Sequence, residues 1–196
     1  MKRTFVRQRT KTLACKNPDV LRTERLDTPR LGLDPITLDD AGSLAGVFDD
    51  PAMLQFIGGA ELTRDVLRTR FERMPAGSGN DEEAWLTWVV RLQGVTIGIV
   101  QATVRAAGAD LAWVIGLKWQ NQGLATEAAR AVCEWLEGNG VTALLAHIHP
   151  DNSASHAVAT RLGLRSSGKT DDDGEVVWVN DHATWPPSQS ADRPEQ

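Results

Sequence analysis

The spacing of apolar positions changes several times between residues 22 and 182, and each change marks an element. Arg30–Leu33 reads as a first strand. Thr37, Leu38, Asp39 and Asp40 make a capping-box-like start for a helix carrying Leu44, Ala45, Val47 and Phe48. Asp50-Pro51 opens a second short helix, since proline suits a first helical turn. Thr63–Val66 opens a third that runs to about Arg73, before Gly77, Gly79 and Asn80 break the pattern. Ala84–Leu92 and Thr96–Val104 are rich in Val, Thr and Trp and flank Gln93-Gly94, which predicts a hairpin. Asp110–Gly116 is the next strand. The period then becomes helical, with Leu124, Ala128, Ala131, Val132, Trp135 and Leu136 on one face. A strand Leu144–His149, a helix after Asn152 and two last strands complete the chain. The order βααα–ββ–β, then α–β–α–β–β, predicts an α/β (α+β) layout with a mixed, mostly antiparallel central sheet flanked by helices.

Composition adds bounds. At 196 residues and 41% hydrophobic, the chain suits one domain over 22–182, needing no disulfide or metal to build its core. Residues 1–21 read as a basic tail, expected to be disordered: Lys2, Arg3, Arg7, Arg9, Lys11 and Lys16 all precede the first acid, Asp19. Residues 183–196, with Pro186, Pro187 and Pro194, read as a second tail. The net charge of −5 argues against nucleic acid as a partner and leans towards a cationic or amine substrate. No apolar run nears the roughly 18 residues of a membrane span, so no membrane partner is expected. Cys15 and Cys133 stand far apart without metal-ligand spacing, which fits free thiols in a reducing cytoplasm. His147 and His149 alternate on one strand face near the helix that begins at Leu124. They lack a third ligand, so no metal is expected, and surface or core histidines is the default reading, with His149 as a secondary proton-relay candidate.

The stretch Trp119–Ala129 carries the chemistry. A strand ends at Gly116, a polar loop follows, and a helix begins near Leu124; free first-turn N–H groups and the helix dipole make that junction an anion site. Gly123 and Ala125 are small enough for close approach of a pyrophosphate. The loop ahead of Leu124 holds no Gly-Lys-Ser/Thr run and no three-glycine dinucleotide fingerprint, which removes both common nucleotide readings for that junction.

Gln120-x-x-Gly123-x-Ala125 resembles the Gln/Arg-x-x-Gly-x-Gly/Ala signature of the GNAT superfamily of N-acetyltransferases. Asp110-Leu111-Ala112-Trp113, Asn152-Ser-Ala-Ser155, Arg161-Leu162-Gly163-Leu164 and the opening Thr23-Glu24-Arg25-Leu26 resemble the branch that includes ribosomal-protein N-terminal acetyltransferases. The resemblance implies acetyl-CoA as cosubstrate, a sheet splayed between Asp110–Gly116 and Leu144–His149, and direct acetyl transfer to an amine. It implies that backbone groups of Ile115, Gly116 and Leu117 pair with pantetheine like an added strand. The N–H groups of Gln122, Gly123, Leu124, Ala125 and Thr126 would hold the pyrophosphate, Asn152 would cap the next helix and touch pantetheine, and Arg161 would reach a phosphate. This branch often forms dimers, so a homodimer is an expectation.

Acetyl transfer needs a neutral amine, a stabilised oxyanion and a protonated thiolate leaving group. Family members often use a tyrosine for the last task, and this sequence has no tyrosine. Ser155 is the best-placed hydroxyl in the motif, as catalytic acid and cofactor contact. Asp110 stands where the family often has glutamate and is the leading catalytic base, with Glu175 and the Asp171–Asp173 run as competitors; the run itself reads as a solvated turn. Trp85 or Trp88 would line an acceptor cleft or fill the core. Two other classes stay open: a non-catalytic acyl-CoA-binding or interaction module, kept alive by the missing tyrosine, and a nucleic-acid role for the basic tail.

Overall fold

The computed structural model describes residues 21–57, 64–77, 79 and 83–183. Its strands are β1 (Leu26–Asp27), β2 (Leu31–Pro35), β3 (Glu83–Leu92), β4 (Val95–Arg105), β5 (Gly108–Ile115), β6 (Leu144–Ile148), β7 (Arg165–Thr170) and β8 (Val176–Val179). Its helices are α1 (Asp40–Val47), α2 (Pro51–Ile57), α3 (Arg64–Arg73), α4 (Leu124–Gly138) and α5 (Ser153–Arg161). The strands form one sheet in the order β1-β2-β3-β4-β5-β6-β8-β7, with β5–β6 its parallel pair and the rest antiparallel. The expected sequence of elements is present with one addition, β1, and with the strand expected at Arg30–Leu33 moved to Leu31–Pro35. The expected tail at 1–21 lies outside the described residues except for Leu21, which is buried in the core; the tail after Ala183 also lies outside.

Local chemistry explains the boundaries. Asp40 accepts hydrogen bonds from the Thr37 N–H (2.9 Å) and hydroxyl (2.8 Å), closing the box that starts α1. Asp50 accepts from the Ala52 N–H at 2.9 Å, so α2 starts on a capped proline turn. Gln93 (φ 49°) and Gly94 (φ 82°) both adopt positive φ, the geometry of a two-residue hairpin turn matched to the strand twist.

The sheet has an apolar layer on each face. Below it, Leu33, Trp88, Val100, Leu111 and Ile115 pack on Leu124, Ala128, Val132 and Leu136 of α4. Above it, Val89 and Ile99 meet Ala41, Leu44 and Phe48 of α1, Met53 of α2, and Leu67 and Phe71 of α3. The buried stripe of α4 is displaced from the expected one: Ala129 and Cys133 are inside, while Ala131 and Trp135 are half-buried at its edge. Cys133 is a free thiol, and burial pushes it up to about 12, which makes it inert as a nucleophile. Among the described residues no helix is long and apolar enough to cross a membrane.

The feature that positions a site is the β5–β6 junction. The two strands pair only at Ala109–Leu144 and Asp110–Leu145. Past Asp110 they part, and the sheet opens into a cleft.

Candidate active site

The loop after β5 is folded by its own polar groups. A single 3-10 turn, Leu117–Trp119, follows Gly116, and Gln120 Nε2 donates to the Ile115 carbonyl at 2.9 Å. Asn121 (φ 60°) and Gly123 (φ 76°) are left-handed and swing the chain into α4. The first helical hydrogen bond runs from the Glu127 N–H to the Gly123 carbonyl at 3.0 Å, so the N–H groups of Leu124, Ala125 and Thr126 precede it. Those donors, with the positive end of a 15-residue helix behind them, form a seat for an anion.

Glu127 sits one residue further along that same helix end, and its charge is held elsewhere. It accepts from Arg30 Nε at 2.6 Å and from the Thr28 hydroxyl at 2.6 Å, while Arg30 also donates to the Gln122 carbonyl at 3.0 Å. Partial burial works against its ionised form, but the hydrogen bonds from Thr28 and Arg30 outweigh this and hold the carboxyl below its usual range. Arg30 thus clamps the loop to the β1–β2 turn.

A cavity of about 1030 Å³ follows the split in the sheet, with Ile115, Leu117, Gly123, Leu124, Ala125, Thr126, Asn152, Ser155 and Arg161 on its walls. Gly116 and Gln122 are not on them. Gly116 departs from the expected pairing for a plain reason: its N–H donates to the Ile97 carbonyl (2.9 Å) and its carbonyl accepts from Trp119 N–H (2.9 Å). Its smallness matters instead, because a Cβ there would stand 2.7 Å from Val47 Cγ1 and 3.0 Å from the Trp119 ring. Backbone alternation directs the N–H of Ile115 to the open side, opposite to the N–H of Gly116.

Across the split, Asn152 Oδ1 accepts from the Ser155 N–H at 3.0 Å and caps α5. Asn152→Ala is expected to cost about 1 kcal/mol in a denaturant titration, within the usual range for a lost N-cap. Ser155 is half-buried in the first turn and lines the cavity. Arg161 ends α5, and its carbonyl accepts from Arg130 at 2.5 Å, tying α5 to α4.

A second cavity, of about 820 Å³, opens under α3, with Asp110, His147 and Glu175 on its floor and Arg70, Arg73 and Trp85 on its walls. The two cavities share Arg70, Met74, Gln101, Leu111, Ala112, His147 and Glu175, so they meet where β5 and β6 diverge. Asp110 keeps 32% of its side chain exposed to this cleft, yet the surrounding protein removes enough water to push its carboxyl up; Asp171 and Glu175 add to the rise, and His147 and Arg105 oppose it. The tryptophans divide: Trp85 is 48% exposed on the cleft wall, and Trp88 is fully buried.

Two sequence readings need correction here. His147 is neither a surface nor a plain core histidine: its Nε2 faces Asp110 Oδ2 at 3.7 Å and its Nδ1 lies 2.5 Å from Asp171 Oδ2. It also turns away from α4, because Ala146 and Ile148 take the core face of β6. Asp171 is likewise no solvated turn residue; its side chain is 18% exposed. Burial opposes its charge, but hydrogen bonds from His147 and from the Glu175 and Asp173 N–H groups win, holding it below the usual carboxylate range. His149 stays at the rim, 43% exposed, with its ring centroid 5.7 Å from that of Phe56. The only sequence signal for His147 was its alternation with His149, and that signal carries no address for the distant Asp110 and Asp171.

Solved structures share this architecture. An acetyltransferase from Agrobacterium tumefaciens aligns with a TM-score of 0.65 at 23% identity, over 81% of this chain and 95% of its own. The ribosomal L7/L12 alpha-N-protein acetyltransferase RimL aligns at 0.68 with 15% identity, over 82% and 98%. The microcin C7 self-immunity acetyltransferase MccE, in complex with acetyl-CoA and AMP, aligns at 0.66 with 16% identity, over 78% and 93%. No curated protein sequence matches. The sequence profile described as acetyltransferase (GNAT) domain matches residues 30–165, well over half of the sequence, and by that match the chain belongs to the GNAT acetyltransferase family.

Proposed function

We propose that this protein transfers the acetyl group of acetyl-CoA directly to a primary amine, of a protein N-terminus or of a small molecule. The observation that carries the reading is the meeting of two cavities at the split: one runs past the anion seat at Leu124–Thr126, the other ends on the acidic floor around Asp110. The residues present suit coenzyme A. Free N–H groups at the start of α4 match a pyrophosphate, the open edge at Ile115 matches the amide-bearing pantetheine arm, and Arg161 offers a cation for a phosphate. Asn152, which caps α5 and lines the same cavity, would contact the arm. Bound there, acetyl-CoA supplies an activated thioester.

The chain's own groups would then do the rest. Asp110 and Glu175 favour an ammonium group at the cleft floor by charge complementarity. Ser155, in the absence of any tyrosine, is the hydroxyl that protonates the departing thiolate. The acceptor reading gains support from the family and from RimL, an alpha-N-protein acetyltransferase.

Thermal melting with acetyl-CoA, against NADH and ATP, tests the cosubstrate: a ligand of the folded state raises the melting temperature, by about 2.7 kcal/mol of stabilisation at a hundredfold excess over Kd. Thiol release over a panel of free-N-terminus peptides, amino acids and polyamines tests the acceptor. A shift specific to acetyl-CoA followed by amine-dependent release is expected. A shift without release on any amine favours a non-catalytic acyl-CoA binder, and no shift overturns the proposal.

A further inference from the structure

We infer that His147, oriented by Asp171, is the group that takes the proton from the acceptor amine, while Asp110 receives the incoming ammonium. The inference rests on the acetyltransferase reading of the same cleft and adds a residue pair to it. His147 lies on the walls of both cavities, whereas Asp110 lies only on the acceptor side and Ser155 only on the other. A proton acceptor has to stand where the two reactants meet, and β6 carries His147 to that crossing.

The ring is oriented by a built support. Asp171 Oδ1 accepts from the backbone N–H groups of Asp173 (3.0 Å) and Glu175 (2.8 Å), which leaves Oδ2 facing His147 Nδ1 at 2.5 Å. The depressed pKa of Asp171 means that this oxygen is a carboxylate oxygen, which only accepts. Nδ1 therefore carries the ring proton, and in the neutral imidazole the lone pair sits on Nε2. Nε2 points across the split at Asp110 Oδ2, 3.7 Å away. That separation is too long for a direct hydrogen bond, and it places an anion and a proton acceptor side by side along the path of an amine. Arg105, Glu175 and Asp171 are the further charges acting on Asp110, and Asp65, Arg70 and Arg73 of α3 line the cleft opposite.

The proton balance is complete. The ammonium loses one proton to Nε2, and the freed lone pair forms the C–N bond to the acetyl carbon as the C–S bond breaks. The second proton on nitrogen compensates the thiolate by way of Ser155. The imidazolium returns its proton to water through the open cleft, leaving amide and free thiol.

His147→Gln keeps size and polarity but cannot accept a proton, so kcat on the best acceptor of the panel is expected to fall by about 100- to 1000-fold. The melting rise with acetyl-CoA should be unchanged, and the acidic limb of the kcat–pH profile should vanish. Asp171→Asn should lower kcat less, by about tenfold or more, and alter the kcat–pH profile, because the ring loses the carboxylate that fixes its tautomer and orientation. A merely structural staple between β6 and the β7–β8 turn would instead lower the melting temperature and leave the pH profile intact, which overturns the inference. Glu175→Gln is the control on the rival carboxylate at the crossing; transfer of the lost limb to that variant also overturns it. An active wild type with a fully active His147→Gln variant sinks this inference alone. An inactive wild type sinks the acetyltransferase reading with it.

Discussion

Ala125→Asp should abolish the response to acetyl-CoA while leaving the free protein as stable as before, or slightly more so. The two effects have opposite signs because they act on the same helix end. Ala125 is the second residue of α4, among the N–H groups that precede the first helical bond. An acid there is favourable to the helix dipole by about 0.3–1 kcal/mol. The same carboxylate occupies the anion seat and repels a diphosphate, and a loss of about 3 kcal/mol in binding raises Kd over 100-fold. Melting curves with and without acetyl-CoA measure both at once. A variant that still melts higher with acetyl-CoA would move the pyrophosphate away from α4 and contradict the site.

Trp88→Ala is expected to be the most damaging single change to the fold, at about 3–5 kcal/mol in a denaturant titration. Trp88 is fully buried, and its indole N–H donates to the Glu24 carbonyl at 2.9 Å. Its ring lies edge-on to Trp135, with centroids 5.3 Å apart, and Trp135 in turn donates to Glu24 Oε1 at 2.5 Å. Truncation therefore opens a cavity between β3 and α4 and releases the segment before β1 at the same time. Trp88→Phe fills most of the space but leaves the Glu24 carbonyl unpaired, for about 1–3 kcal/mol. Trp85→Ala makes the contrast: on the exposed cleft wall it should stay within about 0.5 kcal/mol of the parent. A mild Trp88→Ala would mean that β3 and α4 are not locked through this pair.

The periodic elements were legible because local rules decided them. Leu124 to Leu136 could only be a helix, Gln93-Gly94 could only be a tight turn, and Asn152 capped α5 as its motif implied. Strand β1 was missed because two residues carry no period; its pairing with Gly32 and Leu33 is made by the sheet already behind it. The face of Asp110 could not be read from β5 alone, since both faces of that strand meet protein. It was settled by which helices cover which layer. His147 and Asp171 were misread for the same reason. They are 24 residues apart, and only the β6–β8 pairing brings the β7–β8 turn back over the imidazole. The resemblance implied Gly116 as a pantetheine-pairing residue, but in the sheet its N–H is taken by the Ile97 carbonyl.

The short β5–β6 pairing also bears on how the molecule opens. Two ladder positions tie β6, β8 and β7 to the rest of the sheet, while the layer against α4 runs unbroken beneath both parts through Ala146, Ile148 and Leu164. The sheet is thus like a book with its spine on α4, and its outer leaf is expected to open at less free-energy cost than global unfolding. Amide exchange should be fastest along the Trp113–Ile115 edge and at β6, and slowest in β3 and β4. A ligand lying in the gap as a substitute strand would slow the leaf, so the supply of acetyl-CoA would also govern how often this protein presents an open edge to a protease.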